Sequence, residues 1–436
     1  MTRMSLEKRR LSRRRWVWAC AGLSLVICCG SGCARSKCCG TSAAARQPYS
    51  PSLAEAERAS VSPDVSAVRT YTELEPPGIG RTLLDAPARY QSLSAEECRS
   101  RAATHAVLAN LLDAERDAIS SSACADPCGT ALRSELLALR AEDERNRAAG
   151  TALELFFRLA EAEAGRDTVR RSLSHIDQSL NDIEELRRQG LPINVDPTAL
   201  ERQRLKLRER GELVARSLSE LNLQLSRLIG VDADMPAPIW PVIDWRVEYT
   251  AIDVDEAVRV GLATRADLAI VRRLDGSLGP STLPAARGKL IQVDPMLGQP
   301  SVPAGRLSGL LGGGPNDGAE AASRQGQVSL LRADRERATA DEIRQAAFNV
   351  QSRYREIALA KDTLTSWNGR LNDLRKRREA GNVNPFEISA AEAEIVGAEN
   401  ELIGRVVAWK ISQVKLEQAQ GLLSQPPDSP ASLPLE

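Results

Sequence analysis

Enzyme chemistry needs a nucleophile beside a base, or a metal held by several ligands, and this chain is poor in both. Its 436 residues include two histidines, His105 and His175, and nine cysteines. Six of those cysteines lie at or before Cys39, which leaves Cys98, Cys124 and Cys128 for the body of the protein. Cys124-Ala125-Asp126-Pro127-Cys128 is a close pair in a loop-like stretch. In an oxidising compartment such a pair reads as a small disulfide staple, whereas a zinc site needs further ligands. Gly312-Gly313-Gly314 has neither a strand before it nor a Lys-Ser/Thr after it, so it reads as a flexible loop and not a phosphate cradle. The expectation is a protein with no enzymatic site, no cofactor and no metal.

The other groups with chemistry at a defined spacing are two carboxylates. Asp196 lies six residues after Gly190, and Glu387 lies six after Gly381. Asp196 precedes Pro197 as an N-cap precedes N1, and Asn384-Pro385-Phe386-Glu387 reads as N-cap, N1 and a glutamate reaching back. Both carboxylates also suit the positive end of a helix dipole. The elements that must position them occur twice. Ser179-Leu180-Asn181-Asp182 and Arg370-Leu371-Asn372-Asp373 are 191 residues apart, as are Gly190 and Gly381, and Gly230 and Gly421. Each copy is a helical hairpin with a glycine at its turn.

The outgoing helix of the first copy runs from about Thr130 to Arg188, which at 1.5 Å per residue is about 90 Å. The returning helix runs from Pro197 to Ile229, with a narrow apolar seam of Leu207, Val214, Leu218, Leu221, Leu225 and Leu228. In the second copy, Val328 to Ala380 leads to Pro385 to Leu423. There Ile388, Ile395, Leu402, Trp409, Leu416 and Leu423 recur every seven residues. Val396, Ile403, Val407, Ile411 and Val414 widen that face beyond what one partner helix covers, which suggests lateral assembly through Val407 and Val414.

Composition agrees with long helices packed on one another: hydrophobic residues are 42% and aromatics 3%, so alanine and leucine carry the apolar content. Lysine plus arginine, 58, equals aspartate plus glutamate, 58, and no basic stripe argues for nucleic acid. Residues 1–33 read as an export signal, with Arg9, Arg10 and Arg13 to Arg15 before an apolar run from Trp16 to Cys29. Gly30-Ser31-Gly32-Cys33 resembles a bacterial lipobox, which makes Cys33 a lipidation site, with plain signal cleavage as the alternative. Residues 34–94, rich in Ala, Ser and Pro, read as a tether. A helix is expected from Ser94 to about Ile119, and the first hairpin repeat covers 95–230. Residues 231–326 form a connecting segment with a helix at Val254 to Leu274 and a loop-like stretch from Asp275 to Gly326. The second repeat covers 327–423 and a tail 424–436.

Arg227-Leu228-Ile229-Gly230 closing the first repeat and Arg265-Ala266-Asp267-Leu268 opening the second, with the duplicated hairpin between them, resemble the TolC-like outer-membrane efflux proteins over roughly residues 95 to 423. The resemblance implies an all-α protomer of two hairpin repeats, a homotrimer forming a periplasmic tunnel, and work with a periplasmic adaptor and an inner-membrane pump. It also implies that Asp196 and Glu387 face the tunnel entrance. The family places a β-hairpin between the first two helices of each repeat, and a membrane strand needs about 9–11 residues. Ser120 to Gly129 is too short for two strands, and within Asp275 to Gly326 only Lys289 to Val293 suits one. The expected chain is therefore a lipid-anchored, outer-membrane duct subunit with little or no β-structure, or a periplasmic coiled-coil scaffold derived from one.

Overall fold

A computed structural model describes residues 90–121, 127–190, 196–231, 237–248, 250–279, 282–299, 317–380 and 385–424, all in one unit spanning Pro51–Glu436. Among the described residues there are nine helices: α1 Ala95–Thr104, α2 Val107–Ser121, α3 Pro127–Arg188, α4 Pro197–Leu228, α5 Val254–Thr264, α6 Ala266–Ser277, α7 Leu283–Val293, α8 Asp317–Glu379 and α9 Pro385–Gln420. Two four-residue strands, β1 Gln91–Ser94 and β2 Ile239–Val242, pair in parallel with Gln91 opposite Ile239. Among the described residues the fold is all-α apart from this small ribbon.

The hairpins are α3/α4 and α8/α9. The outgoing helices α3 and α8 have 62 and 63 residues and the returning ones 32 and 36. Side by side, the four long helices run in the order α4, α3, α9, α8. Helix α4 turns its seam of Leu218 and Leu225 onto α3. Helix α9 lies between α3 and α8 and buries its whole heptad line, Ile388 to Leu423. Helices α1 and α2 pack on α3, and α5, α6 and α7 on α8.

Local chemistry sets the ends. Asp196 caps α4 through a hydrogen bond from the Thr198 backbone N–H at 3.0 Å, with Pro197 next. Ser94 caps α1 by accepting from the Glu97 N–H at 3.1 Å. Both returning helices close in the same way: Gly230 and Gly421 have φ of 70° and 77°, and the following N–H reaches back, Val231 to Ser226 and Leu422 to Glu417. That geometry needs a left-handed residue, which only glycine adopts without strain.

Several elements differ from the sequence expectation. The helix expected from Ser94 to Ile119 breaks at His105, where the Asn110 side chain donates to the Thr104 carbonyl. The helix expected from Val254 to Leu274 breaks at Arg265, whose backbone is extended. No residue there forbids helix; the break is made by contacts with the end of α9 described below. Within the stretch expected to be loop, Leu283–Val293 is a helix, and its segment Lys289 to Val293 is not a strand. Gly288, Ile291 and Val293 hide it from propensity. It holds because Ala286 and Leu290 bury against Leu132, Leu139, Ile270, Val271 and Val328, and Leu283 on the same helix is buried as well. Helix α8 starts at Asp317, earlier than Val328. The last residues of the expected tether form β1, held by Leu93 in the core and by Tyr90, edge-on to Trp240 at 5.5 Å.

Candidate functional site

The sequence-derived residues fall in different places. Cys33, Cys124, Gly381 and the side chain of Cys128 lie outside the described residues. Gly190 closes α3 with φ of 71°. Asp196 and Glu387 are both exposed in the first turns of the returning helices. The hydrogen bonds from Thr198 hold the Asp196 carboxyl below the usual carboxylate range. Basic residues end the outgoing helices beside them, Arg187 and Arg188 on α3 and Lys376, Arg377 and Arg378 on α8. Each hairpin end thus presents charges that complement its helix dipoles. Among the described residues no group of His, Cys, Asp or Glu has the arrangement of a metal site.

The C-terminus of α9 is a polar node. A helix leaves its last four carbonyls without intrahelical partners, and here every one is met. Glu417 O accepts from Leu422 N, Gln418 O from Gly421 N and the Asn146 side chain, Ala419 O from Arg265, and Gln420 O from the Thr264 hydroxyl. Arg99, buried on α1, donates to the Leu422 and Leu423 carbonyls at 2.8 and 3.1 Å. Arg265 also pairs with Asp267 and Glu342, and although burial pulls its pKa down, these partners hold it above its ordinary value. The Glu417 carboxylate is buried here with neither oxygen hydrogen-bonded, and burial pushes its pKa up to about 8 against the pull of Arg99. Below the node a cavity of about 520 Å³ opens between α3, α6, α8 and α9. Charges that line it are paired: Arg265 as above, Asp143 with Arg147 and with Arg140 outside the cavity, and Lys415 within 3.9 Å of Glu154, also outside it.

The lateral faces were assigned differently by sequence. Val396, Ile403, Val407 and Val414, the surplus expected to meet a neighbouring subunit, are buried inside the chain. The reason is the helix order: α9 has two neighbours, so its wide face covers α3 as well as α8. Glutamate at Val407 or Val414 would therefore disrupt the fold itself and not merely an assembly. The exposed apolar faces lie on the edge helices instead. On α8, Leu330, Phe348 and Leu359 share one face, at spacings of 18 and 11 residues, close to five and three turns. On α4, Leu205 and Leu223 share another, again 18 residues apart.

The 191-residue offset relates these faces to buried ones. Leu139 and Phe157 on α3 correspond to Leu330 and Phe348 on α8. Phe157 is 1% exposed and Phe348 57%. Val396 and Val414 on α9 correspond to Leu205 and Leu223 on α4, and Val414 is 1% exposed where Leu223 is 66%. The repeat that bares these positions was legible in the sequence, and superposing it on the apolar pattern is the signal that would have found them.

These features define a class: two long helical hairpins per chain, laid side by side with unmatched edges. The fold is that of the TolC-like outer-membrane efflux channels. The outer-membrane channel OprN matches with a TM-score of 0.52 at 11% identity, over 83% of this chain and 98% of its own. CusC, described in terms of transmembrane channel formation, matches at 0.50 and 17% identity, over 76% and 96%. The CmeC outer membrane channel of Campylobacter jejuni matches at 0.50 and 10%, over 69% and 68%. No protein-family model and no curated protein sequence matches the chain.

Proposed function

We propose that the chain is a subunit of an outer-membrane efflux or secretion duct. In this reading it is exported by residues 1–33, lipidated at Cys33 on the periplasmic face of the outer membrane, and linked by the stretch between Cys33 and β1 to its two hairpin repeats. Cys124 and Cys128 form a disulfide. Three copies stand side by side, and a periplasmic adaptor and an inner-membrane pump supply the energy. Asp196 and Glu387 then ring the entrance while serving as helix-end charges. The observation that supports the reading is the pair of unmatched edges on a fold shared with outer-membrane channels, because a chain that buried its apolar faces alone would leave no such pair.

A second reading, a periplasmic coiled-coil scaffold, is favoured by one observation. Helices α2 and α3 are joined by 122–126 alone, five residues, where two membrane strands and a turn need about 20 or more. Among the described residues no helix is long and apolar enough to cross a membrane. Planar-bilayer recording with the purified lipidated chain separates the two. Discrete conductance steps are expected of a duct, and a stable assembly that never conducts would leave the scaffold.

A further inference from the structure

The small ribbon joins the two ends of the first repeat: β1 leads into α1, and β2 follows α4. The Gln91 N–H donates to the Pro238 carbonyl at 2.9 Å. The Ile239 N–H donates to the side-chain oxygen of Asn222 on α4 at 2.7 Å, which fixes where β2 starts. Leu93 and Ile239 are buried in the core.

The second repeat carries the same signals. Tyr90-Gln91-Ser92-Leu93-Ser94 ahead of α1 has its counterpart in Tyr249-Thr250-Ala251-Ile252-Asp253 ahead of α5. In each the last residue is the N-cap and the one before it is apolar. The two helices close on matching runs, Ala103-Thr104-His105-Ala106 and Ala263-Thr264-Arg265-Ala266. His105 lies against Gly230 as Arg265 lies against Gly421. Beyond those glycines, Pro236-Ala237-Pro238-Ile239-Trp240-Pro241-Val242 is answered by Pro430-Ala431-Ser432-Leu433-Pro434-Leu435, one residue shorter. Gln413 on α9 stands 191 residues after Asn222 and is also an amide.

The segment before α5 passes where such a strand can reach it. Lys410, three residues before Gln413, is buried in the field of Asp244 and Glu248, so the approach to Thr250 runs beside that part of α9. Gln420 donates from its side chain to the Ala257 carbonyl at 3.1 Å, in the first turn of α5. From Ser424 to Leu433 the chain advances nine residues, enough for about 30 Å when extended.

We propose that Thr250 to Ile252 is a docking site for this chain's own C-terminal segment: residues 430–435 pair with it as a parallel strand, Leu433 opposite Thr250, as β2 pairs with β1. The Gln413 side chain accepts from the Leu433 N–H in the role of Asn222. Pro434 is compatible with the pairing because Pro241 sits inside β2, and a strand at a ribbon's edge has backbone N–H groups that need no partner in the ladder. Each repeat is then tied end to end by its own ribbon. The end of α9, the helix between α3 and α8, is held by the second ribbon as well as by the polar node. The pairing lies within one chain and does not depend on the duct reading.

The test uses the full-length protein in mild detergent, with hydrogen exchange read by mass spectrometry and helicity by circular dichroism. Residues 431–436 are expected to exchange about tenfold or more slowly than the free peptide 426–436. Leu433→Asp should release both that segment and Thr250 to Ile252, with α9 still protected and helicity unchanged. Thr250→Cys combined with Leu433→Cys should form a disulfide within one chain, since paired strands lie about 4.8 Å apart, inside the range a disulfide spans. A tail that exchanges as fast as the free peptide overturns the pairing, and so does protection that Leu433→Asp leaves intact. Absence of the disulfide overturns the register. A disulfide that joins two chains overturns the assignment to the chain's own tail and gives the site to that of a second copy.

Discussion

Phe157 and Phe348 occupy the same place in two copies of one hairpin, yet the first lies in the core and the second faces outward. Helix α3 has α4 on one side and α9 on the other, whereas α8 has α9 on one side and the short helices α5, α6 and α7 nearby. Equivalent residues therefore differ in exposure because a chain of two repeats has one internal junction and two ends. The comparison teaches that an apolar residue bared at an end is the same feature that the junction uses.

The largest expected effect comes from placing one substitution in both repeats. Val414→Glu buries an unpaired charge in the core and should cost about 3–5 kcal/mol or more, read as a collapse of the thermal transition in circular dichroism. Leu223→Glu, its counterpart, should leave that transition within about 0.5 kcal/mol of wild type, as surface changes do. Equal loss at both sites would break the comparison.

A smaller effect sharpens it at the node. Position 417 holds a buried glutamate where the first repeat has Ser226, also buried. The folded-state pKa of Glu417 is raised from 4.5 to about 8, so the folded chain holds a proton that the unfolded chain releases between those values. Its stabilising contribution is complete below about pH 4.5 and falls as pH rises to about 8. Glu417→Gln keeps the neutral shape and should raise the melting temperature at pH 8 by several degrees while changing little at pH 5. A gain of equal size at both pH values would show that Glu417 is not the group titrating.

The smallest effect is at the hairpin end. Asp196→Ala removes the cap on α4 and should lower stability slightly, whereas Asp196→Ser, which keeps an acceptor, should recover most of it. Because the Asp196 pKa is lowered, its contribution is present above the ordinary carboxylate range and fades as pH falls below it. Hydrogen exchange at the first turn of α4, compared at pH 6 and pH 3, reads this directly.

Much of the fold was legible without coordinates, since glycine closures, caps and heptads depend on neighbours within a few residues. Asp196 with Pro197, Gly230, Gly421 and the line from Ile388 to Leu423 are of this kind. The break at Arg265 and the short helix α7 were not, because each is decided by atoms far along the chain: the carbonyls at the end of α9, and the cluster around Leu132 and Leu139.

The amino-acid sequence by itself determined that there are two hairpins, where they turn, and that α9 carries more apolar surface than one partner can cover. Only the tertiary structure decided which helices supply those partners. A hydrophobic stripe records how much surface must leave water but not what covers it, because burial is non-directional. Val407 and Val414 therefore looked like an assembly face until α3 was seen against them, and Leu223 and Phe348 became candidates for that face only once no described residue was found to cover them.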